Sequence, residues 1–122
     1  MSAFIYNVTF DCADPRSLAR FWSAVTGYEP DVELDEFVRL KAPDNRGVRR
    51  ILFFRVPEPK TVKNRMHVDL ATRDPDEEIQ RLLSLGATLV DDDGSGAPVW
   101  RSGLGSRWVV MQDPEGNEFC IG

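Results

Sequence analysis

The residues with the most chemistry to offer lie close together in the chain. His67 is the single histidine of the 122 residues, and Asp69 follows it two positions on, within Met66-His67-Val68-Asp69-Leu70-Ala71-Thr72. Polarity alternates along this stretch, which predicts a strand with Met66, Val68 and Leu70 on one face and His67, Asp69 and Ala71 on the other. An imidazole on the polar face, with a carboxylate beside it, suits metal ligation or proton transfer. Near the end of the chain, Glu118 and Cys120 alternate with the more apolar Phe119 and Ile121. The apolar pair belongs to a core, so Glu118 faces the other way. A histidine and a glutamate on separate strands of one concave sheet can hold a divalent metal. Each has an ordinary reading as well: His67 donating to a neighbouring carboxylate or carbonyl, Glu118 as a strand-edge charge. Asp69 is either a cup carboxylate that moves a proton or a group bonded to backbone and solvent. Trp100 and Trp108 are candidates for a flat aromatic ligand wall, or for simple burial, whereas Trp22 reads as core.

The elements that must position these groups come as a repeat. Phe4–Phe10 reads as a strand, and Asp14-Pro15 as a helix start, because Asp caps free amides and Pro suits the first helical position. Leu18, Phe21, Trp22 and Val25 form one helical face over Pro15–Thr26, and Gly27 ends it. Strands follow at Glu29–Glu33, Phe37–Lys41 and Arg50–Val56, with turn chemistry at Pro43-Asp44-Asn45-Arg46-Gly47. Pro57-Glu58-Pro59-Lys60 is a linker, and the order then recurs. A strand at His67–Thr72 leads to a helix at Pro75–Leu85, capped by Asp74, with Ile79, Leu82 and Leu83 inward and Gly86 at its end. Strands are predicted at Thr88–Asp91, Val99–Ser102, Arg107–Gln112 and Glu118–Ile121. Val8, Phe10, Asp14 and Pro15 recur at one constant spacing as Val68, Leu70, Asp74 and Pro75.

This pattern predicts an α+β fold in one domain spanning 1–122: two βαβββ modules, 1–58 and 63–122, forming a cupped mixed β-sheet with helices outside. The cup-facing set follows from parity. Asn7, the counterpart of His67, joins Thr9 and Asp11 on the first strand. On Arg50–Val56 both faces are apolar; giving Leu52, Phe54 and Val56 to the helix leaves Phe53 and Arg55 in the cup. There Arg55 either pairs with Glu118 or Asp69 or binds an acidic substrate.

Composition narrows the function. Hydrophobic residues are 42% and charged residues 29% of the chain, an ordinary globular balance. A net charge of −5 offers no basic stripe for phosphates, so nucleic acid is not an expected partner. Arg46, Arg49 and Arg50, the densest basic cluster, read as a solvated loop and strand start. No apolar run approaches the roughly 20 residues that span a bilayer, and the opening residues do not read as a signal peptide. Cys12 and Cys120 fit neither a disulfide framework nor a zinc motif. A reduced, cytoplasmic location is the expectation. The run Asp91-Asp92-Asp93-Gly94-Ser95-Gly96 reads as a solvated loop.

The paired modules, Asp14-Pro15…Phe21-Trp22…Gly27-Tyr28, Met66–Leu70, and above all Asp113-Pro114-Glu115-Gly116-Asn117-Glu118-Phe119 carry a resemblance. The chain resembles the vicinal oxygen chelate superfamily, in its glyoxalase-like branch beside bleomycin-resistance proteins and extradiol dioxygenases. The resemblance implies metal ligands on the first strand of each module and on the last strand, which correspond to Asn7, His67 and Glu118. Asn7 departs from the usual His or Gln, and the fourth-strand position falls near Phe53 or Arg55, neither a ligand. Two readings follow. One is a lyase or isomerase using Zn, Ni, Fe or Mn on a substrate with vicinal oxygens, with Glu118 or Asp69 moving the proton. The other is a non-catalytic protein that sequesters a planar or acidic compound, with Phe53, Arg55, Trp100 and Trp108 as ligand contacts. A cup serving only a partner protein is a third, blander possibility. The resemblance also implies a homodimer.

Overall fold

The computed structural model describes residues 2–44 and 47–122. Asn45 and Arg46, at the centre of the turn expected between Pro43 and Gly47, lie outside the described residues. The chain divides into two compact units, Met1–Lys60 and Thr61–Gly122.

The first unit runs β1 (Asn7–Cys12), α1 (Pro15–Thr26), β2 (Glu29–Glu33), β3 (Phe37–Lys41), β4 (Arg50–Arg55). Its sheet has the order β1-β4-β3-β2, with β1 parallel to β4 and the other pairs antiparallel. The Asp14 carboxylate accepts the Ser17 N–H at 3.1 Å, and Pro15 needs no partner at the first turn. Gly27, at φ 78°, closes the helix by donating to the Ser23 carbonyl. The helix packs on β3 and β4 through buried Leu18, Phe21 and Trp22. β1 starts at Asn7, later than Phe4, because its partner β4 starts at Arg50, the residue opposite Asn7. Phe4 and Ile5 precede the ladder and are exposed.

Parity on β4 is the reverse of the expectation. Phe53 is 0% exposed and stacks on its neighbour Phe10, which packs in turn on Trp22; both centroid distances are 5.3 Å. Phe53 is therefore a core residue on the helix face and no part of a ligand wall. Phe54, 42% exposed, lies on the other face with Phe37 at 4.6 Å. The physical reason is register. Both faces of β4 are apolar, so its phase is set by pairing Phe10 with Phe53 on β1 and Val38 with Phe53 on β3. Arg55 shares Phe53's phase beyond the edge of the core, where its Nε donates to the Ala13 carbonyl at 3.3 Å.

The second unit runs β5 (Asp69–Leu70), α2 (Pro75–Ser84), β6 (Thr88–Leu89), β7 (Arg101–Gly103), β8 (Ser106–Gln112), β9 (Glu118–Ile121). The sheet order is β5-β9-β8-β6, with β7 paired to the start of β8. Asp74 caps α2 as Asp14 caps α1, accepting the Glu77 N–H at 3.1 Å. Ile79 and Leu82 are fully buried, as are Val109, Met111, Phe119 and Ile121 on one face of the sheet. The Asp113–Asn117 turn fixes where β9 begins. The buried Asp113 carboxylate accepts the Glu115 and Asn117 N–H groups, both at 2.9 Å, and the Asn117 amide, while Gly116 supplies φ 85°.

β5 is shorter than the His67–Thr72 strand the alternation predicts. Its register pairs Asp69 with Cys120, which would set His67 opposite Glu118. At that rung Asn64 intervenes: its N–H reaches Glu118 Oε2 at 3.0 Å and its side-chain amide reaches the Glu118 carbonyl at 3.4 Å. β6 is short too, ending before Asp91, whose carboxylate takes Arg101 at 2.6 Å. Among the described residues no helix is long and apolar enough to cross a membrane.

Candidate functional site

Alternation on β9 sends Phe119 and Ile121 into the core and turns Glu118 and Cys120 to the opposite face. On β8 the same face carries Trp108 and Val110, and β5 contributes Asp69. These side chains line a concavity of about 690 Å³. The segment 61–68, which precedes β5 without regular structure, adds Lys63 and His67 to its lining.

His67 Nδ1 and Asp69 Oδ1 are 2.7 Å apart. With the imidazole neutral, Nδ1–H donates to the carboxylate and the lone pair sits on Nε2, open as a base or a ligand. Cys120, the rung partner of Asp69, completes a group. One donor atom each from His67, Asp69 and Cys120 lie within 4.8 Å of one another. Burial pushes the Cys120 thiol up from its ordinary value, and the Asp69 charge adds to this against the opposing charges of Arg101 and Lys63. At neutral pH the sulfur is therefore a protonated thiol and a poor nucleophile. Bringing in a divalent cation would reverse that balance, since a coordinating thiol loses its proton. A nitrogen, an oxygen and a sulfur donor at this spacing fit zinc, iron or nickel, and suit the harder manganese less well.

The sequence-derived candidates divide. His67, Asp69, Glu118 and Trp108 all line the concavity. Glu118 is 8% exposed, accepts from Asn64, and lies outside the His67–Asp69–Cys120 group. Trp100 does not line the concavity; its ring carries the Arg107 guanidinium at 4.2 Å. Asn7 is exposed on β1, paired with Arg50, and Phe53 and Arg55 sit on β4 as described above. The lining residues not singled out from the sequence include Cys120, Lys63, Arg101 and Arg107. Alternation with Phe119 and Ile121 already put Cys120 on the face of Glu118, so its signal was present. Lys63 lies in an aperiodic segment and Arg107 at a strand start, where pattern carries no information about facing.

A family model described as a glyoxalase-like domain matches residues 7–122. No curated protein matches the sequence. Solved structures do. A glyoxalase/bleomycin resistance protein/dioxygenase family enzyme from Burkholderia phytofirmans PsJN is 22% identical, with TM-score 0.73 over 98% of this chain and 97% of its own. A glyoxalase-related enzyme from Fulvimarina pelagi is 17% identical, with TM-score 0.70 over 98% of this chain and 87% of its own. The fosfomycin resistance protein FosX from Listeria monocytogenes was solved with Mn(II) and 1S,2S-dihydroxypropylphosphonic acid. It is 13% identical, with TM-score 0.75 over 99% of this chain and 90% of its own. Similarity at this level speaks to the fold.

Proposed function

Because the chain belongs to the glyoxalase-like domain family, within the vicinal oxygen chelate fold, we propose that it binds a small molecule with vicinal oxygens in the concavity of its second unit and acts on it as a lyase or isomerase. The observation that carries this reading is the 2.7 Å contact between His67 and Asp69, inside a 690 Å³ concavity with Cys120 alongside. Asp69 orients the imidazole. Nε2 of His67 then takes a proton from the carbon or hydroxyl of a bound substrate and returns it, and Asp69 stabilises the imidazolium formed in between. Trp108 and Val110 exclude water from one side of the bound molecule. With His67 instead a ligand and no longer the base, His67, Asp69 and Cys120 would hold a divalent ion. When bound, it would supply Lewis-acid polarisation of the substrate oxygens. Asn7 enters the ligand set only through the family resemblance. That resemblance also favours a homodimer, which light scattering at micromolar concentration checks, and two free thiols favour a reducing, cytoplasmic compartment.

Calorimetric titration of chelator-treated protein with Zn²⁺, Ni²⁺ and Mn²⁺ tests the site. Zn²⁺ and Ni²⁺ bind the parent, and His67→Ala and Cys120→Ser each weaken binding by more than about tenfold, the scale for losing a ligand or its close support. Glu118→Gln and Asn7→Ala have smaller effects. Equal loss in Glu118→Gln would move the ligand set back to Glu118. No binding by the parent would remove the metal from the mechanism and leave sequestration as the leading function.

A further inference from the structure

The sequence of the β7–β8 hairpin is a palindrome. Trp100-Arg101-Ser102-Gly103-Leu104-Gly105-Ser106-Arg107-Trp108 reads the same in both directions about Leu104. The observed pairing does not use that centre. Arg101 pairs with Trp108, Ser102 with Arg107 and Gly103 with Ser106, which leaves a two-residue loop of Leu104 and Gly105. Their φ angles of 50° and 78° are those of a type I′ turn, which suits Asn-Gly better than Leu-Gly. Leu104 is the one non-glycine residue with positive φ among the described residues, and its side chain is fully exposed. Left-handed backbone is unfavourable for leucine, and no packing of the side chain offsets it.

Resting on the small-molecule reading above, we propose that β7 has a second register, one residue along, and that the register decides whether an arginine or a tryptophan lines the concavity. β8 is held in phase by β9, from Val109 opposite Ile121 onward, whereas β7 pairs with β8 alone among the described residues. The segment 90–100 ahead of β7 has no regular structure and supplies slack for a shift of about 3.4 Å. In the second register Ser102 pairs with Ser106 and Trp100 with Trp108. The loop becomes Gly103-Leu104-Gly105, a three-residue loop in which only the last residue is left-handed. That residue is Gly105, already at φ 78°, and Leu104 is relieved. A one-residue slip also exchanges the two faces of a strand. Arg101 leaves its place in the lining opposite Trp108 and turns outward. Trp100, outside the concavity with the Arg107 guanidinium 4.2 Å from its ring centroid, turns in beside Trp108. Three terms hold the observed state against this slip. Arg101 reaches Asp91 at 2.9 and 2.6 Å, Arg107 stacks on Trp100, and the slip sets Arg101 directly opposite Arg107. Set against the left-handed leucine, these leave the observed register favoured by roughly tenfold to a hundredfold. A flat aromatic ligand reverses the balance, because only the slipped state offers it two indole rings.

Substitutions in the loop set the register. Leu104→Asn makes the Asn-Gly pair that the two-residue turn prefers. Gly103→Pro denies that turn its closing N–H and suits the first turn position of the three-residue loop. Leu104→Val, whose branched side chain resists left-handed backbone, pushes the same way without removing an N–H. NMR of the full chain reads the register without ligand. The Arg107 Hα lies against the Ser102 Hα in the observed register and against the Arg101 Hα in the slipped one. The parent shows the Ser102 contact, with relaxation dispersion on the β7 amides from a minor state of about 1–10%. Leu104→Asn removes the dispersion, and Gly103→Pro shows the Arg101 contact. Naphthol, the flat probe, is then titrated by calorimetry. Gly103→Pro binds it at least about tenfold more tightly than the parent, the reciprocal of the slipped fraction, and Leu104→Asn binds it more weakly. Adding Trp100→Ala to Gly103→Pro removes the gain. Decahydronaphthol, the same skeleton without aromatic rings, gains nothing from Gly103→Pro. Absence of dispersion in the parent overturns the second register, as does failure of both Gly103→Pro and Leu104→Val to show the Arg101 contact. Naphthol binding that is absent, or indifferent to the register or to Trp100, overturns the selection by ligand. Zn²⁺ titration of the parent judges the small-molecule reading separately, since the NMR measurement uses no ligand.

Discussion

The two units are one plan executed with different regularity. Their helix starts are nearly superimposable in dihedral terms: Asp14 at φ −130°, ψ 89° and Asp74 at φ −129°, ψ 84°, each followed by proline. Each first strand runs parallel to the unit's last strand. In the first unit that pairing extends from Asn7 to Cys12, whereas in the second it is reduced to Asp69 and Leu70. The faces away from the buried core differ as well. In the first unit, charged and aromatic groups there satisfy one another: Arg39 with Asp31 at 2.8 Å, Phe37 with Phe54, and Arg50 over Tyr6. In the second unit the face is left open and lined with groups that can act on a ligand. The difference teaches that caps and apolar alternation specify the repeated scaffold, and that chemistry collects where the ladder is interrupted.

The largest test of this comparison is in the two cores. Phe53→Ala and Phe119→Ala, both at fully buried positions, should each cost about 3–5 kcal/mol in denaturant unfolding. A loss under about 1 kcal/mol for Phe53→Ala, the range of a solvent-facing truncation, would return Phe53 to the open face and break the account of β4. A smaller effect sharpens the equivalence of the helix starts. Asp14→Ala and Asp74→Ala should each cost about 1 kcal/mol, and the same amount, because the cap geometries match. Clearly unequal losses would show that the repeat is only topological. The smallest effect concerns the mutually satisfied face of the first unit. The hydrogen bond from Arg39 holds the Asp31 carboxyl below the usual range, against mild desolvation, with the Arg39 charge helping. A depressed folded-state pKa stabilises above the unfolded value of about 3.9 and loses that contribution as pH falls through the folded value. Asp31→Asn should thus be less stable than the parent at about pH 6, and the two should converge as pH falls through the depressed folded-state value. Since the pair is partly exposed, the gap should shrink with salt. A difference that persists in acid would assign it to packing.

The sequence carried those features that depend on local chemistry. Both helices, the Asp113–Asn117 turn and the facing of β9 follow from capping, glycine placement and clean alternation. β4 was illegible because an all-apolar strand has no phase until its neighbours supply one. The donor cluster proposed for the metal was half legible. His67 and Asp69 stand out as chemistry, but the choice of Glu118 over Cys120 turns on Asn64, a residue whose contact across 54 positions leaves no periodic trace.

The Asn64 contact has a consequence for how tightly anything is held. Lys63 and His67 are strung along a segment with no ladder of its own, fastened to β9 through Asn64 on Glu118 and, beyond His67, through the Cys120 N–H on the Val68 carbonyl. Every opening of that fastening removes both side chains from the concavity at once. The apparent dissociation constant for any ligand is then the intrinsic one divided by the fraction of molecules in which the segment is seated. Loosening both contacts together weakens every ligand that depends on His67 by a common factor and leaves their ranking unchanged. Hydrogen exchange at the amide of Asn64 reads the seated fraction directly. The two fastenings thereby set the gain of the site, while its selectivity is set elsewhere.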